Sequence, residues 1–291
     1  VTAAITAVLS KTGGTQRQRR RDVESGDLRK AIGASHLRVE TEVRAYELVD
    51  APWTAQWRSA LVRAFAAVDI AVIVASPIEG TAPETAAYLR LLHILGATRV
   101  WLFLNVPEGA HADPELIELA SLEFAEMAVL AGFAPPIVLE GNAREVSECA
   151  CSNGGCPTCG PIRDLVASLD HAPSPARLTH LPLRMLIEHV YERVNVTAHA
   201  RHARPVPFGI VTAGRIAVGD TVEIVGVRSA SSTARVDAIQ VFGAAKDSAE
   251  AGEIISALLG GVERDEVFAP RIICQPSTVR PVSRFACSIA S

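Results

Sequence analysis

Gly214-Arg215-Ile216-Ala217-Val218-Gly219-Asp220-Thr221-Val222-Glu223-Ile224-Val225-Gly226-Val227 decides the fold of this 291-residue chain. A Gly219-Asp220 turn stands between two runs in which apolar residues alternate with polar ones. That is the pattern of a half-buried strand pair in a small barrel. Outward from it, residues 180–282 read as mostly short strands broken by Gly and Pro turns, which predicts a small β-barrel.

Upstream the period changes. Helical spacing opens at Thr2 and ends at Gly13-Gly14. Residues 15–34 are polar, cluster Arg17, Arg19, Arg20 and Arg21, show no period and are expected to form a loop. Residues 36–41 and 43–49 alternate as adjacent strands, and a helix is expected over 54–67. The continuous apolar run 70–75 suits a parallel strand covered on both faces. Helix 84–95, strand 100–104, helix 113–131 and strand 137–139 continue the alternation, with Asp113-Pro114 as N-cap and first helical residue. A short helix over 162–169 leads into the proline-punctuated Asp170-His171-Ala172-Pro173-Ser174-Pro175. The fold class expected is α/β: a doubly wound parallel sheet, with ligands at the carboxyl ends of its strands, followed by the barrel. The expected boundaries are 1–170 for the α/β domain, 171–179 for a linker and 180–285 for the barrel. Residues 286–291 would begin a further domain. The chain opens on Val1 inside a helix and closes on an alternating run, so both edges are expected to be cut.

Composition narrows the function classes. Hydrophobic content of 49% fits folded domains, and a formal charge of −4 leaves no footprint for broad nucleic-acid binding. No apolar run reaches the roughly 18–20 residues that span a bilayer, and residues 1–9 lack the charged start of a signal peptide. A cytoplasmic protein away from membranes is expected.

Some thirty residues beyond the opening stretch come Ala251-Gly252-Glu253 and Ala257-Leu258-Leu259-Gly260-Gly261-Val262. With residues 214–227, these closely resemble the second domain of elongation factor Tu and its relatives, the translational GTPases that carry aminoacyl-tRNA. The resemblance runs in order over nearly the whole chain, with a divergent patch at 145–208. It implies a GTP and magnesium site in the first domain, and it makes the opening Val-Thr-Ala-Ala-Ile-Thr-Ala-Val-Leu-Ser-Lys the helix that follows the family's phosphate loop. That loop would lie before Val1. Lys11-Thr12-Gly13-Gly14 stands at the wrong end of the helix to replace it.

The family's nucleotide motifs are altered where they should fall. Ala31 stands near the magnesium-binding threonine, and a methyl group offers a hard cation no oxygen. Asp-x-Pro-Gly-His reads Asp50-Ala51-Pro52-Trp53-Thr54, which keeps Asp50 and Pro52 but puts an indole where glycine allows close approach to the γ-phosphate. Thr54 replaces the histidine that positions the attacking water. Asn-Lys-x-Asp, which reads guanine, has become Asn105-Val106-Pro107-Glu108, and Gly141-Asn142-Ala143 takes the place of the last base-contacting motif. The nucleotide-binding remnant is therefore Asp50, Pro52, Asn105, Glu108, Asn142 and Ala143, with no catalytic residue assigned. For Asp50, Pro52 and Asn105 the plainer role is to end strands. Trp53 and Trp57 are expected to pack on a neighbour or to fill the emptied phosphate site.

Four of the six cysteines fall within eleven residues: Cys149, Cys151, Cys156 and Cys159. Cys156-Pro157-Thr158-Cys159-Gly160 is the turn of a zinc knuckle, in which Gly and Pro aim backbone N–H groups at thiolate sulfurs. In a cytosolic chain such clustering favours metal over disulfides. Structural zinc is expected; an iron–sulfur centre, a redox dithiol and unligated thiols stay open, because the Cys149/Cys151 spacing is tighter than usual. Cys274 and Cys287 read as buried apolar residues on strands.

In the barrel the resemblance implies contacts to the aminoacyl end of tRNA at Glu188, Gln240 and Phe242, with barrel packing as the alternative. Around them His189, Gln240, Ile254 and Gly260 replace polar or charged family residues, which implies weak or altered tRNA binding. His199, Arg201, His202 and Arg204 form a basic loop, either solvated or set against RNA phosphate. The function expected is a degenerate GTPase acting by binding, with a tRNA, a ribosome or a protein as partner. The alternative is a working elongation factor that delivers aminoacyl-tRNA, its phosphate loop outside this chain; a metal-sensing or redox adaptor is a third.

Overall fold

The computed structural model describes residues 2–11, 16–17, 35–50, 62, 68–80, 82, 84–106, 113–196, 201–226, 231–267 and 271–282. They form two compact units, Val1–Pro175 and Ala176–Ser291.

In the first unit, β4 (Ile70–Ala75), β5 (Arg99–Asn105) and β6 (Ile137–Gly141) form a parallel sheet in that order. Successive side chains of β5 point to opposite faces. Val100, Leu102 and Leu104 enter one core with Leu89, Leu92, Phe124 and Ala128. Those four come from α2 (Thr85–Ile94) and α3 (Pro114–Leu130). Trp101 and Phe103 enter the other core with Ile5 and Val8 of α1 (Thr2–Lys11) and with Ile162 and Leu165. Both faces of β5 are thus covered by helices, whereas β4, the run expected to be covered on both faces, leaves Val74 47% exposed.

The helix ends follow the residues. Asp113 caps α3 by accepting from the Glu115 N–H at 3.0 Å, with Pro114 in the first turn. α2 and α3 stop in the same way. Gly96 and Gly132 adopt φ of 98° and 100°. The next residues, Ala97 and Phe133, donate back to Leu92 and Ala128 at 3.0 Å each.

A second, antiparallel sheet orders β1 (Gln16–Arg17), β2 (Ser35–Glu40) and β3 (Ala45–Asp50). The stretch expected to be an unpatterned loop therefore contains two strand residues, which pair with Val39 and Arg38. The helix expected over 54–67 falls almost entirely outside the described residues. Among the described residues two short helices escaped the sequence reading: α4 (Ala143–Glu148) and a single turn over Arg264–Val267, whose six and four residues are too few to show a period. The helix expected over 162–169 is longer, α5 (Gly160–His171).

The second unit is an antiparallel barrel. β7 (Arg184–Val196), β8 (Arg201–Ala213), β10 (Thr221–Gly226), β11 (Ser232–Val241), β14 (Ile254–Gly260) and β15 (Arg271–Cys274) pair in the order β10-β15-β7-β8-β14-β11, and β10–β11 pairing closes the ring. Two expectations are corrected. β7 and β8 are 13 residues each rather than short. β8 holds Pro205 and Pro207 because its registered pairing with β14 stops at Phe208, so neither proline removes a ladder donor on that edge. The runs flanking Gly219-Asp220 do not pair with each other either. β9 (Arg215–Ala217) pairs with β13 (Ser248–Glu250), whereas β10 joins the barrel. Gly219, at φ 95°, makes a corner between two sheets, with Asp220 Oδ2 accepting from the Ala217 N–H at 2.7 Å. Local alternation specifies strands, but partner choice is a tertiary matter.

Candidate nucleotide site and cysteine centre

β5 and β6 deliver Asn105 and Gly141 side by side at their carboxyl ends, where open α/β sheets bind ligands. There Asn105 Oδ1 accepts a hydrogen bond from the Ala143 N–H at 3.0 Å. Asn142 caps α4: its Oδ1 takes the N–H groups of Arg144 and Glu145 at 3.0 and 3.1 Å, and its Nδ2 donates to Glu145 Oε1 at 2.8 Å. The Asn142…Glu145 spacing is a helix-start signal, and it was the available clue to α4. The structure thus brings together three of the expected nucleotide residues, Asn105, Asn142 and Ala143. Asp50 ends β3, exposed, in the antiparallel sheet, with Ser35 as its register partner. Pro52, Trp53, Thr54 and Glu108, like Ala31 and Trp57, lie outside the described residues.

α4 runs straight into the cysteines. Cys149 is its C-cap, Gly154 turns the loop at φ 67°, and a short 3-10 helix, Pro157–Cys159, carries the last cysteine into α5. The four sulfurs lie within 4.8 Å of one another, with Cys149–Cys156 and Cys151–Cys159 at 3.5 Å each. Tetrahedral zinc at about 2.3 Å from each sulfur needs sulfur–sulfur edges of about 3.8 Å, so the set fits a closed four-thiolate ion with little adjustment. Cys159 is fully buried, and the other three pack on the core that α1 helps to build.

The thiols are not equivalent. The Cys159 backbone N–H, then the thiols of Cys151 and Cys149, pull Cys156 down to about 6. Burial, then its thiol neighbours, pushes Cys159 up to about 12. One group is poised as thiolate at neutral pH and another resists ionisation until a cation compensates it. The sequence reading missed one neighbour. Lys11 Nζ donates to the Cys149 carbonyl at 2.7 Å and lies 3.9 Å from Cys159 Sγ. A separation of 138 residues leaves no local signal for it.

The barrel residues are placed differently. Glu188 is buried (4% exposed) where β7 shifts register between Ile187 and His189. Gln240 is exposed on β11, which is separated from β7 by β8 and β14 in the sheet order. Phe242 turns the β11–β12 hairpin (β12 is Ala244–Lys246) at φ 48° beside Gly243 at 79°, with its ring against the barrel core. Two positive φ angles in a two-residue turn match a twisted hairpin. Residues 201–204 of the expected basic loop belong to strand β8, and Arg204 is held by Asp237 and by the Leu259 carbonyl at 3.0 Å. A Cβ on Gly260 would sit 2.8 Å from Asp237 Oδ2 and 3.1 Å from Arg204 Nη2, so glycine makes room for this pair. Cys274 is buried, as expected, and Cys287 lies outside the described residues.

Among the described residues no helix is long and apolar enough to cross a membrane. Residues 6–127 match the family model for the elongation factor Tu GTP binding domain, and residues 205–274 match that for elongation factor Tu domain 2. Among solved structures, translation elongation factor SelB from Methanococcus maripaludis, in complex with the GTP analogue GppNHp, superposes with a TM-score of 0.68 at 18% identity, over 95% of this chain and 52% of that one. A bacterial selenocysteine-specific elongation factor, EF-Sec, gives 0.65 at 19% identity, over 94% and 43%. The chain spans about half the length of these structures, and at such identity the likeness is one of fold. With both domain models matched in the family's order over the α/β unit and barrel just described, the chain belongs to the elongation factor Tu family of translational GTPases.

Proposed function

We propose that this chain is a translation factor that works by binding, on a GTPase scaffold whose hydrolytic chemistry has lapsed. The observation that carries this reading is a kept frame at the carboxyl ends of β5 and β6, set against nucleotide motifs altered in the sequence. The Asn105–Ala143 hydrogen bond still laces the two base-contacting segments together. Yet the groups that would hold base, γ-phosphate and water read Val106, Glu108, Trp53 and Thr54. In this reading Asp50, Pro52, Asn105, Glu108, Asn142 and Ala143 are inherited from a GTP and magnesium site, within a domain of residues 1–170. The barrel, over 180–285, meets a tRNA, a ribosome or a protein partner in the cytoplasm. Of Glu188, Gln240 and Phe242, the exposed Gln240 is the one through which the barrel would meet a charged tRNA end, and the other two serve barrel packing. The four cysteines hold structural zinc, since all four positions are filled by protein and none is left for substrate.

The test is titration of the full-length gene product with fluorescent GDP and GTP, followed by phosphate release with magnesium. Absent or millimolar binding without turnover supports the proposal. Micromolar GTP affinity with magnesium-dependent hydrolysis would sink it. The second reading would then hold: a working factor that delivers aminoacyl-tRNA. Its support is the match of residues 6–127 to a GTP-binding family and the GTP analogue named with the SelB structure.

A further inference from the structure

We propose that the metal centre clamps α1 through Lys11, so that metal occupancy governs the order of α1 and of the Asn105–Ala143 lacing. The inference rests on the reading of the four cysteines as a metal site. Four thiolates around a divalent ion leave two negative charges uncompensated, and a buried charge is tolerated when a partner stands close. Lys11 is that partner. Its ammonium touches two of the four ligand residues, at the Cys149 carbonyl (2.7 Å) and at Cys159 Sγ (3.9 Å). It is also the last residue of α1, where a cation meets the negative end of the helix dipole.

Two connections carry the effect onward from the cysteines. The first is α1 itself: Ala4, Ile5 and Val8 are buried in one core with Ala143, Val146 and Cys159. The second is α4, whose N-terminus receives Asn105 and whose C-cap is the ligand Cys149. A six-residue helix pinned at both ends moves as one piece. Without metal, Cys149 is no longer tied to the other three cysteines, so the C-terminal pin of α4 and the Lys11 bond to the Cys149 carbonyl both loosen. Lys11 is therefore a positioning residue for the metal centre, acting beyond the ligands themselves.

The experiment uses the full chain and zinc itself. Zinc affinity is measured by competition with a chromophoric chelator for the natural protein, Lys11→Met and Lys11→Arg, alongside thiol titration. Hydrogen exchange is followed over residues 2–11 and 143–148 with zinc bound and after chelation. The proposal expects zinc to protect four thiols, Lys11→Met to weaken zinc binding about 10-fold, and Lys11→Arg to keep most of it. It also expects chelation to speed exchange in α1 and α4 while β11 in the barrel stays unchanged. The exchange measurement needs no substitution, so it decides even where Lys11→Met fails to fold. Equal zinc affinity in a folded Lys11→Met, or unaltered α1 exchange after chelation, overturns the clamp and leaves the metal centre standing. No zinc uptake by the natural protein overturns the metal reading and the clamp with it.

Discussion

Asn105 and Ala143, 38 residues apart, are joined by a 3.0 Å hydrogen bond from the Ala143 N–H to the Asn105 carboxamide. The bond satisfies one of the N-terminal amides that an α-helix leaves without an intrahelical acceptor, and the Asn142 cap satisfies two more. An asparagine that the sequence marks as a nucleotide remnant therefore has a structural task as well. Asn105→Ala is expected to destabilise the α/β unit by about 1–2 kcal/mol. Asn105→Asp keeps an acceptor at a helix N-terminus and should cost less. Urea unfolding followed by circular dichroism checks both; equal losses would refute the acceptor role.

Tyr46, Thr41 and Arg44 converge on Asp170, tying the β2–β3 hairpin to the end of α5. The Tyr46 and Thr41 hydroxyls donate to Asp170 Oδ1 at 2.6 and 2.8 Å, and Arg44 Nη2 donates to its carbonyl at 2.9 Å. Burial first, then the bond to Asp170 and its charge, raises the Tyr46 phenol above its ordinary value of 10.0. An acid held neutral in the fold contributes stability in full below its unfolded value and loses it as pH rises beyond 10. Stability of this unit should fall above pH 10 in the natural protein and less steeply in Tyr46→Phe. That variant should itself cost about 1 kcal/mol at neutral pH. Denaturant midpoints at pH 8 and 11 decide it, and parallel pH slopes would refute it.

In metal-free protein the cysteines should react in a defined order. Cys156, held near 6, is largely thiolate at pH 7, whereas Cys159 is both buried and pushed up to about 12. Limited alkylation followed by peptide mass spectrometry is expected to label Cys156 first and Cys159 last. Bound zinc should protect all four. Labelling of Cys159 ahead of Cys156 would contradict the arrangement.

Gly209 lies on β8 against the backbone of β7, where a Cβ would run into the Leu186 carbonyl oxygen. Backbone cannot step aside as a side-chain tip can. Gly209→Ala is therefore expected to cost about 3 kcal/mol or more in the barrel. The same change at Gly219 meets open space but a φ of 95°, and should cost about 1 kcal/mol. Thermal unfolding of the two variants tests the ranking, and a Gly209→Ala barrel as stable as the natural one would defeat it.

Periodicity determined the α/β alternation and the change to a barrel, because burial on one face or two writes itself into local residue order, and residue type, an aspartate before a proline, determined the Asp113 cap. The cysteine spacing likewise announced a cluster of four sulfurs, which lie within 4.8 Å of one another. Only the tertiary structure decided that β9 pairs with β13 rather than with β10, that Phe242 serves a hairpin turn, and that Arg204 fills the space beside Gly260. It also decided that Lys11 and Asn105 serve partners 138 and 38 residues away. Such contacts join residues whose separation along the chain carries no period. A sequence states which face each residue prefers, but the partner across the gap exists only once the chain has closed around it.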